Sequence, residues 1–300
     1  MALRPLALIE APSNLGLAPP SADREPGVRH MAQALRALGL RERLGAEDGG
    51  EVVAPPYGMK RDHATGIRNA GAIADYSVEL AGAVGAQIEA GRFALVIGGD
   101  CSILLGSLLA LHPRGRHGLV FLDGHHDLQT PSVSRTGGAA GMDLALAVGI
   151  GPPVLSALGG ARPLLHPADV ALLGVRDDPA WYTGDDVVRA RSAMHVRSLA
   201  DLRRAGMRAS GDTVAGQTAR PELAGVWVHL DVDVLDDALM PAVDSRQPDG
   251  LTYEELETLL RPLLDTGRVV GMQVTIYDPD RDPDRRAART LVDGLVRLLR

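Results

Sequence analysis

Short apolar runs alternate with amphipathic segments along the whole chain. Residues 6–10 (LALIE), 93–97 (FALVI), 118–122 (GLVFL), 169–173 (DVALL), 226–230 (VWVHL) and 269–276 (VVGMQVTI) have the composition of buried parallel strands. Such strands are covered on both faces, so they read as continuous apolar runs rather than as alternation. Shorter strands are expected at 51–53 and 193–196. Helical spacing appears at 27–38, 72–90, 103–111, 142–148, 199–205, 252–264 and 285–299. Gly39 and Gly91 stop two of these helices. Thr252 with Glu255 has the spacing of a capping box, and Pro262 is expected to fray the last turn of that helix. Residues 13–25 form a Gly/Pro-rich loop after the first strand. Residues 206–220 are polar and Gly-rich, which suggests an exposed excursion. The regular alternation of strand and helix predicts an α/β fold with a mainly parallel sheet of about eight strands, in a single domain spanning 1–300.

Composition narrows the class. Hydrophobic residues make up 45% and charged residues 23%, as in an ordinary globular chain. Aromatics are only 3%, so the core must be aliphatic. A net charge of −7 disfavours nucleic acid as a partner. No run reaches the roughly 18 apolar residues of a membrane span. The single cysteine, Cys101, excludes an internal disulfide and fits a reducing cytoplasm.

The chemistry concentrates at two strand ends. The 118–122 run leads into Asp123, His125 and Asp127, spaced i, i+2, i+4. In extended backbone these three would leave one face. The 226–230 run leads into Asp231 and Asp233, again two apart. Isolated acids at strand ends are usually caps. Four carboxylates and an imidazole close together would repel one another and take up protons, unless one or two divalent cations neutralise them. An oxygen-rich set of this kind suits a hard or borderline ion such as Mn²⁺.

These residues also carry a resemblance. DGHHD (123–127) resembles the DAHxD motif of the ureohydrolase family of arginases, agmatinases and formimidoylglutamases. The stretch 229–255 resembles that family's SxDxDxxDPxxxPAxGTPxxGGLTxxE, and GGDCS (98–102) its GGDHS. The resemblance spans nearly the whole chain and implies the three-layer arginase-like fold with two Mn²⁺ ions and a bridging hydroxide. Mapped by motif, Asp123 and Asp231 would bridge the ions. His125 and Asp233 would complete one ion, and Asp127 and Cys101 the other. Asp127 would accept the hydroxide's proton. The activity implied is hydrolysis of a non-peptide C–N bond in a linear guanidine or amidine.

The sequence departs from the family at several places. Cys101 stands where the family has His, which widens the metal choice to Zn²⁺, Ni²⁺ or Fe²⁺. A helix N-terminus just after it is expected to lower the thiol pKa. TGGAAGM (136–142) aligns with the arginase segment SGNLHGM, so Gly138 and Ala140 replace residues that hold the amino-acid carboxylate and shuttle protons. Ile276 replaces the acid that grips the guanidinium, with Asp278 as a substitute two residues on. Asp237 replaces a turn proline. Asp177 and Asp178 fall where arginases place an acid near the substrate amine, making Asp178 a second candidate substrate contact. Arg176 is a candidate for a substrate carboxylate. His126 and His229 read as packed or hydrogen-bonding histidines. Together these changes argue against L-arginine as substrate. The expectation is a cytoplasmic, homo-oligomeric hydrolase acting on a small molecule. The alternatives are a non-catalytic, metal-binding relative and a deacetylase-like hydrolase on the same fold.

Overall fold

The computed structural model describes residues 4–300. The strands are β1 (Leu6–Ala11), β2 (Glu47–Glu51), β3 (Phe93–Gly98), β4 (His117–Leu122), β5 (Val170–Val175), β6 (His195–Ser198), β7 (Gly225–Asp231) and β8 (Val269–Thr275). They form one eight-stranded sheet in the order β2-β1-β3-β8-β7-β4-β5-β6. Every pairing between them is parallel.

The continuous apolar runs are explained by burial on both faces. In β3, Phe93, Leu95 and Ile97 enter one core while Ala94 and Val96 enter the other. Helices Met31–Arg36, Leu199–Ala205, Met207–Thr218, Tyr253–Asp265 and Arg286–Leu299 contribute to the first core. Helices Ala70–Glu89, Leu104–Leu111, Asp143–Ala147 and Asp185–Ala193 contribute to the second. This is the three-layer arrangement expected. The capping box forms as the spacing predicts: Glu255 N–H donates to Thr252 Oγ1 at 3.1 Å and Thr252 N–H to Glu255 Oε2 at 2.9 Å.

Three local expectations are corrected. Residues 206–220 are no exposed excursion but the helix Met207–Thr218. Its buried residues, Met207, Ser210, Gly211, Val214 and Thr218, follow a helical period. Gly211 read as a loop signal, yet it serves a close approach: a Cβ there would sit 2.3 Å from the Leu259 carbonyl oxygen. The second strand is Glu47–Glu51, a mostly exposed polar edge that carries no hydrophobic signature. The helix around Pro262 does not stop early and runs to Asp265.

The site lies at the C-terminal ends of β3, β8, β7 and β4, which are neighbours at the middle of the sheet. The helices that follow β3 and β7 pack on opposite faces. The loops therefore diverge there and leave a crevice, as at the switch points of other open α/β sheets.

Candidate metal centre

β4 ends at Leu122, one residue short of the first acid. Residues 123–127 are thus a loop rather than extended strand, and Asp127 takes a left-handed φ of 48°. Simple alternation therefore does not bring Asp123, His125 and Asp127 together. The loop does, held by hydrogen bonds. His125 N–H donates to Asp123 Oδ1 at 2.7 Å, and Gly124 N–H to Asp233 Oδ1 at 3.0 Å. The Arg176 guanidinium donates to the Val234 and Asp233 carbonyls at 2.8 and 2.7 Å, and its own N–H donates to Gly124 O at 2.8 Å. Arg176 is therefore a brace between the two acid-bearing loops, which removes it as a candidate for a substrate carboxylate.

β7 runs directly into Asp231, whose Oδ1 accepts Asp233 N–H at 2.8 Å. The β3 loop supplies Cys101. Its backbone turn at Gly99 packs so tightly on Ser13 that a Cβ would lie 1.7 Å from the Ser13 carbonyl oxygen. The Cys101 thiol is buried, donates to Asp231 Oδ2 at 2.9 Å and lies 3.1 Å from Thr275 Oγ1. Candidate ligands from three loops thus converge. Asp123, His125 and Asp233 form one group whose ligand atoms lie within 4.8 Å of one another. Asp123, Asp231 and His229 form a second, and Cys101, Asp143 and His229 a third. Asp127 lines the same cavity as Cys101, His125, Asp231 and Asp233.

The electrostatics are those of a site built for positive charge. Burial, then the Asp233 carboxylate, push Asp123 up to about 7. Asp127 and Asp231 rise well above the carboxylate range, first through burial and then through neighbouring acids. Burial disfavours a charged His125, but Asp233 and Asp123 outweigh it and raise the imidazole pKa. Its Nδ1 lies 3.0 Å from Asp233 Oδ2. The Cys101 thiol moves opposite to the sequence expectation. Burial and the carboxylates of Asp231, Asp143, Asp123 and Asp127 raise it well above its usual value. Burial first, and then the surrounding acids, outweigh the half-charge of a helix end. Asp123 Oδ2 is buried without a hydrogen-bond partner, the mark of a lone pair left for a cation. Carboxylates, an imidazole and a thiol fit divalent ions of the Mn²⁺ to Zn²⁺ range.

Several residues were missed from the sequence. Asp143 is fully buried in the centre, and both its carboxylate oxygens lack hydrogen-bond partners. It reads as the first residue of an apolar helix, and only the fold reveals its neighbours. Ser245 and Gln247 touch His125 Nε2 at 3.0 and 2.8 Å. Gln273 binds His229 Nδ1 at 2.8 Å. His229 is fully buried and stacks on Phe121 with 4.3 Å between ring centroids.

Two candidate substrate contacts lie elsewhere. Asp178 is an exposed turn residue whose side chain accepts Ala180 N–H at 2.9 Å. Asp278 caps the next turn, accepting Asp280 N–H at 3.0 Å, and faces Arg281 at 3.4 Å. Neither lines the cavity, because each is spent on local turn geometry. Asp177 is instead buried and takes His126 Nδ1 at 2.5 Å and the Tyr182 hydroxyl. His126 is thus a packed, hydrogen-bonded residue. Ile276 does line the cavity, and it holds a φ of 77°, a strained conformation for a β-branched residue.

The cavity above the acids has a volume of about 240 Å³. Its walls include Thr136, Gly138, Ala140 and Gly141 on one side and Asp244, Ser245 and Ile276 on another. No lysine or arginine lines it among the described residues.

An all-parallel α/β sheet with a carboxylate-rich centre at its C-terminal edge defines a metal-hydrolase architecture. The family model described as "Arginase family" matches residues 6–299, and the chain belongs to that family. It is 32% identical to the arginase of Bacillus caldovelox over 97% of this chain and 96% of that protein. The crystal structure of that arginase superposes with a TM-score of 0.87 and 28% structure-aligned identity, over 99% of this chain and 98% of the other. A proclavaminate amidino hydrolase from Streptomyces clavuligerus shares the fold, with a TM-score of 0.72 at 19% identity over 100% of this chain and 91% of that one.

Proposed function

We propose that this protein is a binuclear divalent-metal hydrolase acting on the C–N bond of a small guanidino or amidino compound other than L-arginine. The observation that carries the reading is the make-up of the cavity wall. Its acids, with Asp244 at the rim, favour a cationic head group. On the 136–141 side Gly138, Ala140 and Gly141 offer no side-chain donors, and Thr136 and Gln129 are the nearest neutral ones. An amino-acid carboxylate would meet few partners there.

Asp123 and Asp231 would help hold the two ions, with His125 and Asp233 serving one and Asp127 and Cys101 the other. Ions bound there supply a Lewis acid and acidify water toward neutrality. Asp127, which lines the cavity, would take a proton from the attacking water and pass it to the leaving amine. Asp244 and Ser245 would orient the cationic head group. Closeness to proteins named arginase makes L-arginine the comparison to run. The test is product release from L-arginine, agmatine, other carboxylate-free guanidines and formimino compounds, with Mn²⁺ and with Zn²⁺ supplied. A carboxylate-free compound should exceed L-arginine by roughly 100-fold in kcat/KM, about two lost hydrogen bonds at ~1.4 kcal/mol each. L-arginine as the best substrate would overturn the substrate assignment.

A further inference from the structure

Asp143 has no role in the centre just described. It is fully buried at the start of helix Asp143–Ala147, and neither carboxylate oxygen has a hydrogen-bond partner. A buried carboxyl without partners is costly, and such groups are normally paired or bound to metal. One of its oxygens lies within 4.8 Å of both the Cys101 sulfur and a ring nitrogen of His229. Asp143 does not line the substrate cavity, so it reaches the centre from behind.

The hydrogen-bond chain below shows which of these three groups can ligate. Trp227 Nε1–H can only donate, and it does so to Gln273 Oε1 at 3.0 Å. This fixes the Gln273 amide, so its Nε2 is the donor to His229 Nδ1 at 2.8 Å. Nδ1 must then accept, and the single ring proton resides on Nε2. His229 Nε2 is buried without another partner. It therefore presents the centre with an N–H rather than a lone pair, within 4.8 Å of the carboxylates of Asp143, Asp123 and Asp231.

We propose that Asp143 is a ligand of the Cys101-side ion, together with Cys101 and Asp127, and that His229 is a positioning residue rather than a ligand. This rests on the two-ion reading above. Asp143 supplies a hard oxygen donor beside the cysteine that replaces a histidine, so a mixed sulfur and oxygen set can still hold a divalent ion there.

The test uses the full chain, stripped of metal and then titrated with Zn²⁺, Mn²⁺ and Co²⁺. Bound metal is counted by elemental analysis, and the Co²⁺ form is read by its thiolate charge-transfer band. The parent should bind two equivalents. Asp143→Asn should lose at least about 10-fold in affinity for one equivalent and shift the Co²⁺ band, whereas Asp143→Glu should recover much of the affinity. Metal-free Asp143→Asn should melt at or above the parent while gaining less on adding Zn²⁺, which separates ligand loss from misfolding. His229→Asn should keep both equivalents. If Asp143→Asn binds two ions with parental affinity and spectrum, Asp143 is not a ligand. If the parent itself binds fewer than two ions, the two-ion reading fails instead.

Discussion

Buried aspartates at opposite ends of the sheet meet opposite fates. Asp169, just before β5, is almost completely inaccessible. It is held by Arg116, whose Nη2 lies 2.9 Å away, and by Arg220 at 2.5 Å. At the other end Asp123, Asp127, Asp143, Asp231 and Asp233 are buried too, and the imidazole that pairs directly with carboxylates among them is His125. The brace residue Arg176 gives its donors to backbone carbonyls rather than to these acids. The end that only needs to be stable carries its own counter-charge. The end proposed as the metal centre leaves its charge open, to be met by a ligand from outside. The chain spends arginine freely elsewhere, so this concentration of unpaired acid marks function.

Breaking the open end should have the largest effect. Asp231→Asn removes an acid that faces both Cys101 and Asp233. Metal affinity should fall by at least about 100-fold, more than outer-shell changes produce, and activity should fall with it. Metal titration by calorimetry and steady-state kinetics check this. Breaking the closed end should act on stability alone. Asp169→Ala removes the buried partner of Arg116 and Arg220, but Arg116 is half exposed and Arg220 keeps Glu222, so the cost should be roughly 1–2 kcal/mol, with bound metal unchanged. Urea denaturation and elemental analysis on the same sample would separate the two effects.

The pH dependence sharpens the contrast. An acid whose folded pKa is raised binds more protons in the folded state than in the unfolded one. For Asp123, with about 7 folded against 3.8 as the ordinary value, stability is greatest below about pH 4 and declines as pH rises toward 7. The raised His125 works in the same sense: its contribution is full below the ordinary 6.5 and fades as pH climbs above it. Metal-free protein should therefore melt lower at pH 7.5 than at pH 5.5, by on the order of 5 °C. Saturating Zn²⁺ or Mn²⁺ should abolish or reverse the trend, and a metal-free protein with a flat profile would contradict the assignment. The smallest change expected is at Cys101. Cys101→His should leave two ions bound and raise the preference for Mn²⁺ over Zn²⁺ by about 10-fold, measured by competition between the two metals.

The sequence by itself determined much of this protein. Doubly covered strands must be apolar throughout, so the central strands announced themselves. Motifs within one loop announced their acids, because those ligands are spaced by local backbone. Residues whose signal depended on a partner far along the chain were not legible. Gly211 looked like a loop breaker until the Leu259 backbone was found against it. The polar strand Glu47–Glu51 has only an edge to fill and so needs no hydrophobic pattern. Asp178 and Asp278 looked like substrate acids, but capping a turn is a local need that the spacing cannot distinguish from binding. Asp143 gave no signal at all. It became visible only when tertiary packing placed it beside Cys101, 42 residues away in sequence, with neither oxygen satisfied. The tautomer of His229 was equally hidden, since it is set by Gln273 and Trp227 on two adjacent strands. Periodicity and spacing fix what a residue's own segment does. Whether a buried charge is answered, and by what, is decided by side chains that only the fold brings together.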